Sequence, residues 1–245
     1  MPASTSRTAA RRRTIVHSLP LTEEADAGNR TLAERALDHI RSLILRGDIA
    51  PGERLRLEEL AATLQLSPMP IREAVRRLVQ LGLVEHIPHR GARVVPITVE
   101  EVIDLYGARL AVEPLAVERA AKRLTDELYE DGLDLLQDLV DAEAAEDNVA
   151  MWNAHANFHF LIYRASASAW LLRTIEPMWE RAQCYRTGCG PLMLPGRNEE
   201  HLGILVSCRK KDQAEASRLM HNHLATVGNR MAELLGSSAE PFRLL

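Results

Sequence analysis

Two short helical patterns joined by a tight turn constrain the fold of this chain more than any other feature. The first runs from Glu58 to Leu66, and the second runs from Ser67 to Leu78. Apolar residues recur at helical spacing in both, at Leu60, Ala61 and Leu64 and at Ile71, Ala74, Val75 and Leu78. Because residues three and four apart share one face of a helix, each pattern has one buried side. The other side of the second helix carries arginines, and such a pair is typical of a helix-turn-helix.

The second helix is expected to begin at Ser67, whose hydroxyl can accept a hydrogen bond from an amide of the first turn. Pro70 suits that turn, where no amide is required. After Gly82, residues 83–86 and 92–95 alternate as two short strands around a basic turn at 88–91. The stretch therefore predicts a winged helix-turn-helix. Its second helix would enter the major groove of DNA, and its wing would contact the backbone or the minor groove.

A further helical pattern runs from Thr31 to Arg46. This helix is expected to pack against the two helices of the helix-turn-helix and support them. Pro51 and Gly52 then form a turn, and Leu55 and Leu57 are expected in a short strand. Residues 1–29 show no sustained period and are predicted to be a disordered arm. The winged helix-turn-helix domain is thus assigned to residues 30–96.

Residues 97–236 show only helical periodicity, and the predicted fold class is mainly α. Six helices are expected, at 99–123, 126–147, 149–168, 170–186, 198–211 and 212–235. Six helices with mostly short connections favour an antiparallel bundle. The one long loop is Gly188–Gly196, and residues 237–245 are predicted to be a flexible tail.

Charge separates the two halves of the chain. Residues 1–96 hold 15 arginines and 11 acidic residues, whereas the whole chain has a net charge of −4, so the remainder carries −8. A basic first half fits a surface that faces DNA phosphate, and an acidic second half fits a surface that faces away from it.

The three cysteines, Cys184, Cys189 and Cys208, have no CxxC spacing and are expected to be free thiols. No apolar run approaches the roughly 18 residues that span a bilayer. A cytoplasmic protein without a membrane partner is therefore expected.

Histidines mark a candidate metal site in the second half. His155 and His159 are four apart and therefore stack on one face of a helix, while His201 and His223 lie on later helices. Neutral imidazole nitrogens are good metal ligands. On spacing alone, a structural pair of histidines is the more common outcome. His221 competes with His223, because residues two apart on a helix cannot face the same point.

The first domain resembles the DNA-binding domain of GntR-family bacterial transcription regulators. The resemblance lies in residues 44–55, Glu59-Leu-Ala, residues 67–78, Gly82-Leu-Val and Arg90-Gly91. It implies DNA contacts by Ser67, Arg72 and Arg76 on the second helix and by His89, Arg90 and Gly91 at the wing. The family usually has arginine after the serine, where this chain has Pro68. Arg72 is the candidate for reading guanine through a bidentate contact, and a phosphate contact is its alternative.

The second half resembles the ligand-sensing FCD domain of the FadR subfamily. The resemblance lies in Phe158-His159, Glu200-His201 and His223-Leu224. It implies a divalent metal held by three histidines and by an acidic residue or asparagine four positions before the first. His155 stands at that fourth position, which departs from the family pattern, so either the site has four histidines or His155 is not a ligand. Four imidazoles favour zinc or nickel over manganese, since carboxylate ligands suit harder ions.

The resemblance also implies that an arginine on the first helix of this domain meets a carboxylate effector, and Arg109 stands there. Its alternative is an ion pair with Glu113, four residues on. The combined expectation is a metabolite-responsive repressor that binds a palindromic, double-stranded operator as a homodimer. A small organic acid would shift the two domains about a hinge at 96–100.

Two alternatives stay open. One is a DNA-binding regulator with a purely structural metal and no effector. The other is a metal-dependent hydrolase in which Glu200 acts as a base, although adjacent helical residues point in different directions and no HExxH motif is present.

Overall fold

The computed structural model describes residues 31–88, 90–188 and 197–245. The elements run in the order α1 (Leu32–Arg46), β1 (Arg54–Leu55), α2 (Leu57–Leu64), α3 (Pro68–Gln80), β2 (Val84–Ile87), β3 (Gly91–Val94), α4 (Val99–Ala121), α5 (Asp126–Ala144), α6 (Asn148–Ala165), α7 (Ala169–Gly188), α8 (Arg197–Arg209) and α9 (Gln213–Leu234). This order confirms the predicted fold class, a winged helix-turn-helix followed by helices. The predicted arm and most of the predicted long loop lie outside the described residues.

The first helix, α1, begins and ends where local chemistry predicts. The hydroxyl of Thr31 accepts from the amide of Glu34 at 3.2 Å, and the Glu34 carboxylate accepts from the amide of Thr31 at 2.8 Å. Gly47 ends the helix in the left-handed conformation, with φ at 81°. Glycine adopts that conformation without a clash. The buried residues of α1, including Ile40 and Ile44, share one hydrophobic core with α3.

The wing is a three-stranded sheet in the order β1-β3-β2, with both pairs antiparallel. The predicted strands at 83–86 and 92–95 differ from β2 and β3 by one residue at each end. Leu57, predicted in a short strand, is instead the first residue of α2. The reason is that pairing with β3 covers only Arg54 and Leu55, so the chain is released from the sheet before Leu57.

Side-chain caps begin four helices of the second half at the predicted breaks. In each case a side-chain oxygen accepts from the amide three residues later, at Thr98, Thr125, Asp147 and Asp212. Such caps satisfy one of the amides that have no partner within the helix. The local sequence therefore fixes where α4, α5, α6 and α9 start.

The two halves share a hydrophobic core. The cluster that holds the buried residues of α1 and α3 continues into residues of α4, α7 and α9, namely Val102, Tyr106, Ala182, Cys184, Tyr185, Val227 and Met231. Because these residues are buried against the winged domain, the winged domain is docked on the helical one rather than tethered by a linker alone.

Ion pairs reinforce this junction. Arg41 of α1 donates to Glu180 of α7 at 2.5 Å, and the two side chains are 11% and 14% exposed. Burial raises the pKa of the Glu180 carboxyl, and the neighbouring Arg41 opposes that rise. Arg181 donates to Glu101 at 3.3 Å, and the Tyr185 hydroxyl also donates to Glu101. Helix α7 is thereby bonded to both α1 and α4.

The C-terminal segment, for which the sequence predicts a flexible tail, contacts α9. Residues 237–245 run back along α9, where Asn229 exchanges two 2.8 Å hydrogen bonds with the backbone of Phe242. Asn222 makes an equivalent pair with the backbone of Leu245. The ring of Phe242 lies so close to Gly228 that a Cβ there would come within 2.7 Å of it. Asparagine side chains can hold an extended segment in this way because each amide offers a donor and an acceptor.

Cys184 and Cys208, which the sequence predicts to be free thiols, are free and buried in the structure. Burial raises the pKa of each thiol to about 12. Cys189 lies outside the described residues. Among the helices described, none is both long and apolar enough to cross a membrane.

Candidate metal centre and nucleic-acid interface

Four histidines from three helices meet in the interior of the helical domain. His155 and His159 lie on α6, His201 on α8 and His223 on α9. Their candidate ligand atoms all lie within 4.8 Å of one another. The Nε2 atom of His159 is 3.2 Å from the Nε2 atoms of both His155 and His201. Two such distances approach the separation of about 3.3 Å between nitrogens bound tetrahedrally to one ion at about 2.05 Å.

The surroundings of the four rings fit a metal ion. Each histidine is between 1% and 5% exposed. Burying imidazoles whose ring nitrogens face one another is unfavourable unless those nitrogens share protons or a cation. Neutral imidazole is a suitable ligand for zinc, nickel and copper. The donor set therefore matches the borderline-soft ions better than magnesium or manganese.

Polar partners hold two of the rings from outside the cluster. The Nδ1 atom of His223 is 2.8 Å from the carboxylate of Glu200. The Nδ1 atom of His159 is 3.3 Å from the hydroxyl of Tyr163. Bonds of this kind fix the tautomer and the orientation of a ligand ring. Both leave the Nε2 atom as the ligand on its ring.

A buried hydrogen-bond relay continues from Tyr163 to Arg109. The Tyr163 hydroxyl donates to Glu113 at 2.5 Å, and Glu113 accepts from Nε and Nη2 of Arg109 at 2.6 and 3.2 Å. Burial raises the pKa of Tyr163 well above its usual range, and the charge of Glu113 raises it further. Burial alone would lower the pKa of Arg109, but the Glu113 carboxylate more than offsets this effect. The phenol therefore stays neutral and the guanidinium stays charged.

Arg109 thus forms the ion pair that the sequence offered as the alternative to effector binding. Arg109 is 5% exposed and Glu113 is fully buried. The guanidinium also lies 4.8 Å from the centroid of the Tyr106 ring. Glu113 occupies the Nε and Nη2 atoms of this guanidinium, so the Nη1 side is the part that Glu113 does not bind.

His221 and Glu200 are both turned away from the point that the four rings face. His221 Nε2 lies 3.0 Å from the carbonyl oxygen of Arg243, so His221 contacts the C-terminal segment. Glu200 contacts the outer nitrogen of His223 rather than the inner face of the cluster. A base that activates metal-bound water would have to lie on that inner face.

An aromatic wall closes one side of the cluster. The Trp179 ring of α7 lies 5.6 Å from the His155 ring and 6.2 Å from the His159 ring. Phe158 lies 5.2 Å from the His201 ring. The next residue after Trp179 is Glu180, which bonds Arg41 of the winged domain. One turn of α7 therefore contacts both the cluster and α1.

The exposed face of α3 carries the predicted DNA contacts. Ser67, Arg72 and Arg76 are exposed, whereas Ile71 and Leu78 on the opposite face are fully buried. Arg77 pairs with Glu73 at 3.2 Å and approaches Glu34 at 3.9 Å. Arg77 is therefore engaged by ion pairs within the winged domain.

Ser67 does not cap α3 through its side chain, contrary to the sequence expectation. An N-cap serine accepts from the amide two or three positions on. Pro70, the third position, has no amide hydrogen, and the Ser67 side chain makes no cap bond to Met69, the second. The exposed hydroxyl of Ser67 is consequently available to an external partner such as a phosphate.

The wing presents Arg90 and Gly91 at its exposed tip. Gly91 has a φ of 88°, which favours glycine there. Arg93 on β3 pairs with Glu85 on β2 at 2.6 Å. His89, the remaining predicted wing contact, lies outside the described residues.

Sequence reasoning missed the outer partners of the histidines. Tyr163 lies four residues after His159 and so shares its helix face, which is a detectable signal. Glu113 and Trp179 come from other helices, and no local spacing connects them to the histidines.

Comparison with known proteins gives matches over both halves. A family model described as "Bacterial regulatory proteins, gntR family" matches residues 32–94, and one described as "FCD domain" matches residues 104–226. "HTH-type transcriptional repressor GlaR" of Escherichia coli (strain K12) is 32% identical over 197 residues, which cover 76% of this chain and 90% of GlaR. "Nta operon transcriptional regulator" of Aminobacter aminovorans is 31% identical over 173 residues, which cover 70% of this chain and 81% of that protein.

The fold also matches a solved structure. "E. coli McbR/YncC" superposes with a TM-score of 0.72 at 23% sequence identity, covering 84% of this chain and 98% of that chain. At this identity the likeness concerns the fold alone.

Proposed function

Because the chain belongs to the GntR family of bacterial regulatory proteins and carries an FCD domain, we propose that it is a metabolite-responsive repressor. It is a DNA-binding transcription regulator, and GlaR, which is 32% identical over 90% of its own length, is named a repressor. In this proposal a homodimer binds a palindromic operator, so that two α3 helices reach half-sites about one DNA turn apart. The observation that carries the proposal is the exposed face of α3 with Ser67, Arg72 and Arg76.

The metal that we propose for the helical domain is zinc or nickel, held by His155, His159, His201 and His223. The close approach of the facing Nε2 atoms supports this set. When bound, the ion would supply a Lewis-acid centre, and with four imidazoles in place an oxygen of a small carboxylate would be a fifth ligand. Glu200 and Tyr163 contact the outer Nδ1 atoms of two of the ligand rings, those of His223 and His159.

The effector that we propose is a small organic acid. Its second anchor is Arg109, because a guanidinium grips a carboxylate with two parallel hydrogen bonds. Glu113 holds that guanidinium in place and is joined through Tyr163 to His159. Effector binding at Arg109 would change the charge that Glu113 meets, and the contacts of Tyr163 with Glu113 and His159 would connect that change to the metal ligand.

The route from this site to DNA runs through α7. Trp179 packs against the His155 and His159 rings, and Glu180 bonds Arg41 on α1. A shift of α7 on effector binding would act on the winged domain through this pair, with residues 96–100 as the hinge. Such coupling needs two arrangements of the junction that the effector binds with different affinity.

The alternatives differ in what they predict. A regulator with a structural metal would keep its operator affinity in the presence of any small acid. A hydrolase is not favoured, because the family consists of regulators and Glu200 contacts the outer side of His223. Thermal-shift screening of small carboxylates, followed by operator release measurements, distinguishes the effector-responsive repressor from the structural-metal form.

The DNA-binding role is tested by anisotropy titration of an operator duplex selected from a random library by the full chain. Arg72→Ala is expected to weaken binding by about 1–3 kcal/mol. Arg77→Ala is the matched control and should change affinity little, since Arg77 is engaged by Glu73. Unchanged affinity in Arg72→Ala would refute the base-reading role of that residue.

A further inference from the structure

A large, exposed apolar side chain lies at the tip of the proposed recognition helix, α3. Met69 is 73% exposed at the second position of α3. A single exposed apolar residue is ordinary on a protein surface. The position of Met69 is what distinguishes it, because the first residues of a recognition helix are those that meet base edges.

Met69 belongs to the same row as the exposed arginines. Arg72 is three positions after Met69, and Arg76 is four positions after Arg72, so the three side chains follow one face of the helix. The opposite face, with Ile71 and Leu78, is fully buried in the winged domain. If Arg72 reaches a base pair, Met69 lies about one turn nearer the start of the helix and meets a neighbouring pair.

The chemistry at this end of α3 is apolar. Pro68 and Pro70 flank Met69, and neither has an amide hydrogen. Two of the first-turn amides with which a helix normally binds a phosphate are therefore missing. The tip of α3 instead presents two pyrrolidine rings and a thioether.

The major groove of DNA offers one apolar group to such a tip, the C5 methyl of thymine. We propose that Met69 is a specificity-determining residue that selects thymine by packing against this methyl, beside the base pair contacted by Arg72. The unbranched thioether side chain suits this contact because it adapts to the shape of its partner. The inference rests on the proposed DNA-binding function and adds one base preference to it.

The test replaces thymine by uracil, which differs only in lacking that methyl. The full chain first selects an operator from a random duplex library. Each dT of that operator is then replaced singly by dU, and affinity is measured by anisotropy. With the native chain, one dU position per half-site is expected to weaken binding about fourfold, because the free energy gained by burying one methyl is lost. Replacement in both half-sites is expected to cost about 15-fold.

Variants link the effect to the side chain. Met69→Ala should bind the dT and dU operators equally, and Met69→Leu should keep most of the preference. Trp170→Ala removes an equally exposed apolar side chain, at 76%, from α7 and should retain the full uracil penalty. Circular dichroism checks that each variant is folded.

Three results overturn the inference or what it rests on. If no dU position weakens the native chain, or if Met69→Ala keeps the same penalty, thymine selection by Met69 is wrong. If no dU substitution weakens binding but Arg72→Ala strongly lowers operator affinity, the proposed DNA binding survives and only this inference fails. If no duplex is selected at all, the proposed DNA binding fails as well.

Discussion

Replacing Tyr163 by phenylalanine tests whether the buried relay serves the histidine cluster. The change removes one hydroxyl and leaves the ring. That hydroxyl lies 2.5 Å from Glu113 and 3.3 Å from the Nδ1 atom of His159. The variant therefore loses the outer contact of one candidate metal ligand and one hydrogen bond of a fully buried carboxylate.

The lost hydroxyl should lower both the metal affinity and the free energy of unfolding. Loss of an outer partner of a ligating histidine typically lowers metal affinity about 10–100-fold. Leaving a charged, buried group short of one hydrogen bond costs about 1.5–3 kcal/mol of folding free energy. Arg109 continues to hold Glu113 with two bonds, so we expect the lower half of that range.

The assay is competition for zinc against a chromophoric chelator, with urea denaturation as the measure of stability. Tyr185→Phe is the matched control, because that hydroxyl also donates to a carboxylate, Glu101, and accepts from Arg181 at 3.0 Å. Tyr185 lies at the domain junction rather than in the cluster. The Tyr185→Phe variant should therefore lose stability while keeping the native affinity for zinc.

The reasoning is refuted if Tyr163→Phe binds zinc as tightly as the native chain. It is also refuted if both variants lose zinc affinity equally, since the loss would then reflect general loosening of the helical domain.

Two further changes test the packing that joins the parts of the molecule. Phe242→Ala should destabilise the chain by about 1.5–2.5 kcal/mol, roughly half the cost of a fully buried ring because Phe242 is only partly buried. Leu244→Ala, at an exposed position of the same segment, should leave the urea midpoint unchanged, and equal effects would argue against a docked tail. Glu180→Gln should cost about 1–3 kcal/mol, less than a fully buried pair, because Arg41 can move toward solvent at the junction. It should also weaken the proposed coupling between effector binding and operator affinity, and an unchanged coupling would rule out this pair as the route.

The winged domain was predictable because its signals are local. Helical spacing, Gly47 and the polar caps fix the element boundaries within a few neighbouring residues. The strand ends and Leu57 were misplaced because sheet pairing, rather than residue type, decides where β1 stops. The cap expected at Ser67 is absent, and the sequence contains part of the reason, because the proline three positions later removes one of the two amides that such a cap uses.

The histidine cluster was predictable only in part. The spacing of His155 and His159 places them on one face of α6, but nothing local brings His201 and His223 to the same point. Whether Arg109 meets an effector or Glu113 depends on burial, which the sequence left open. The sequence does not reveal that residues 237–245 contact α9. Asn222 and Asn229 bond to backbone atoms of that segment, and every sequence has such atoms.

Metal content measures the four-imidazole centre most directly. The full chain is purified without a histidine tag and without chelator, and its metals are counted by plasma mass spectrometry. One zinc or nickel per chain is expected, falling well below one in His159→Ala. Stoichiometric manganese, or no metal in a chain that is folded and supplied with zinc, would contradict a centre built from His155, His159, His201 and His223.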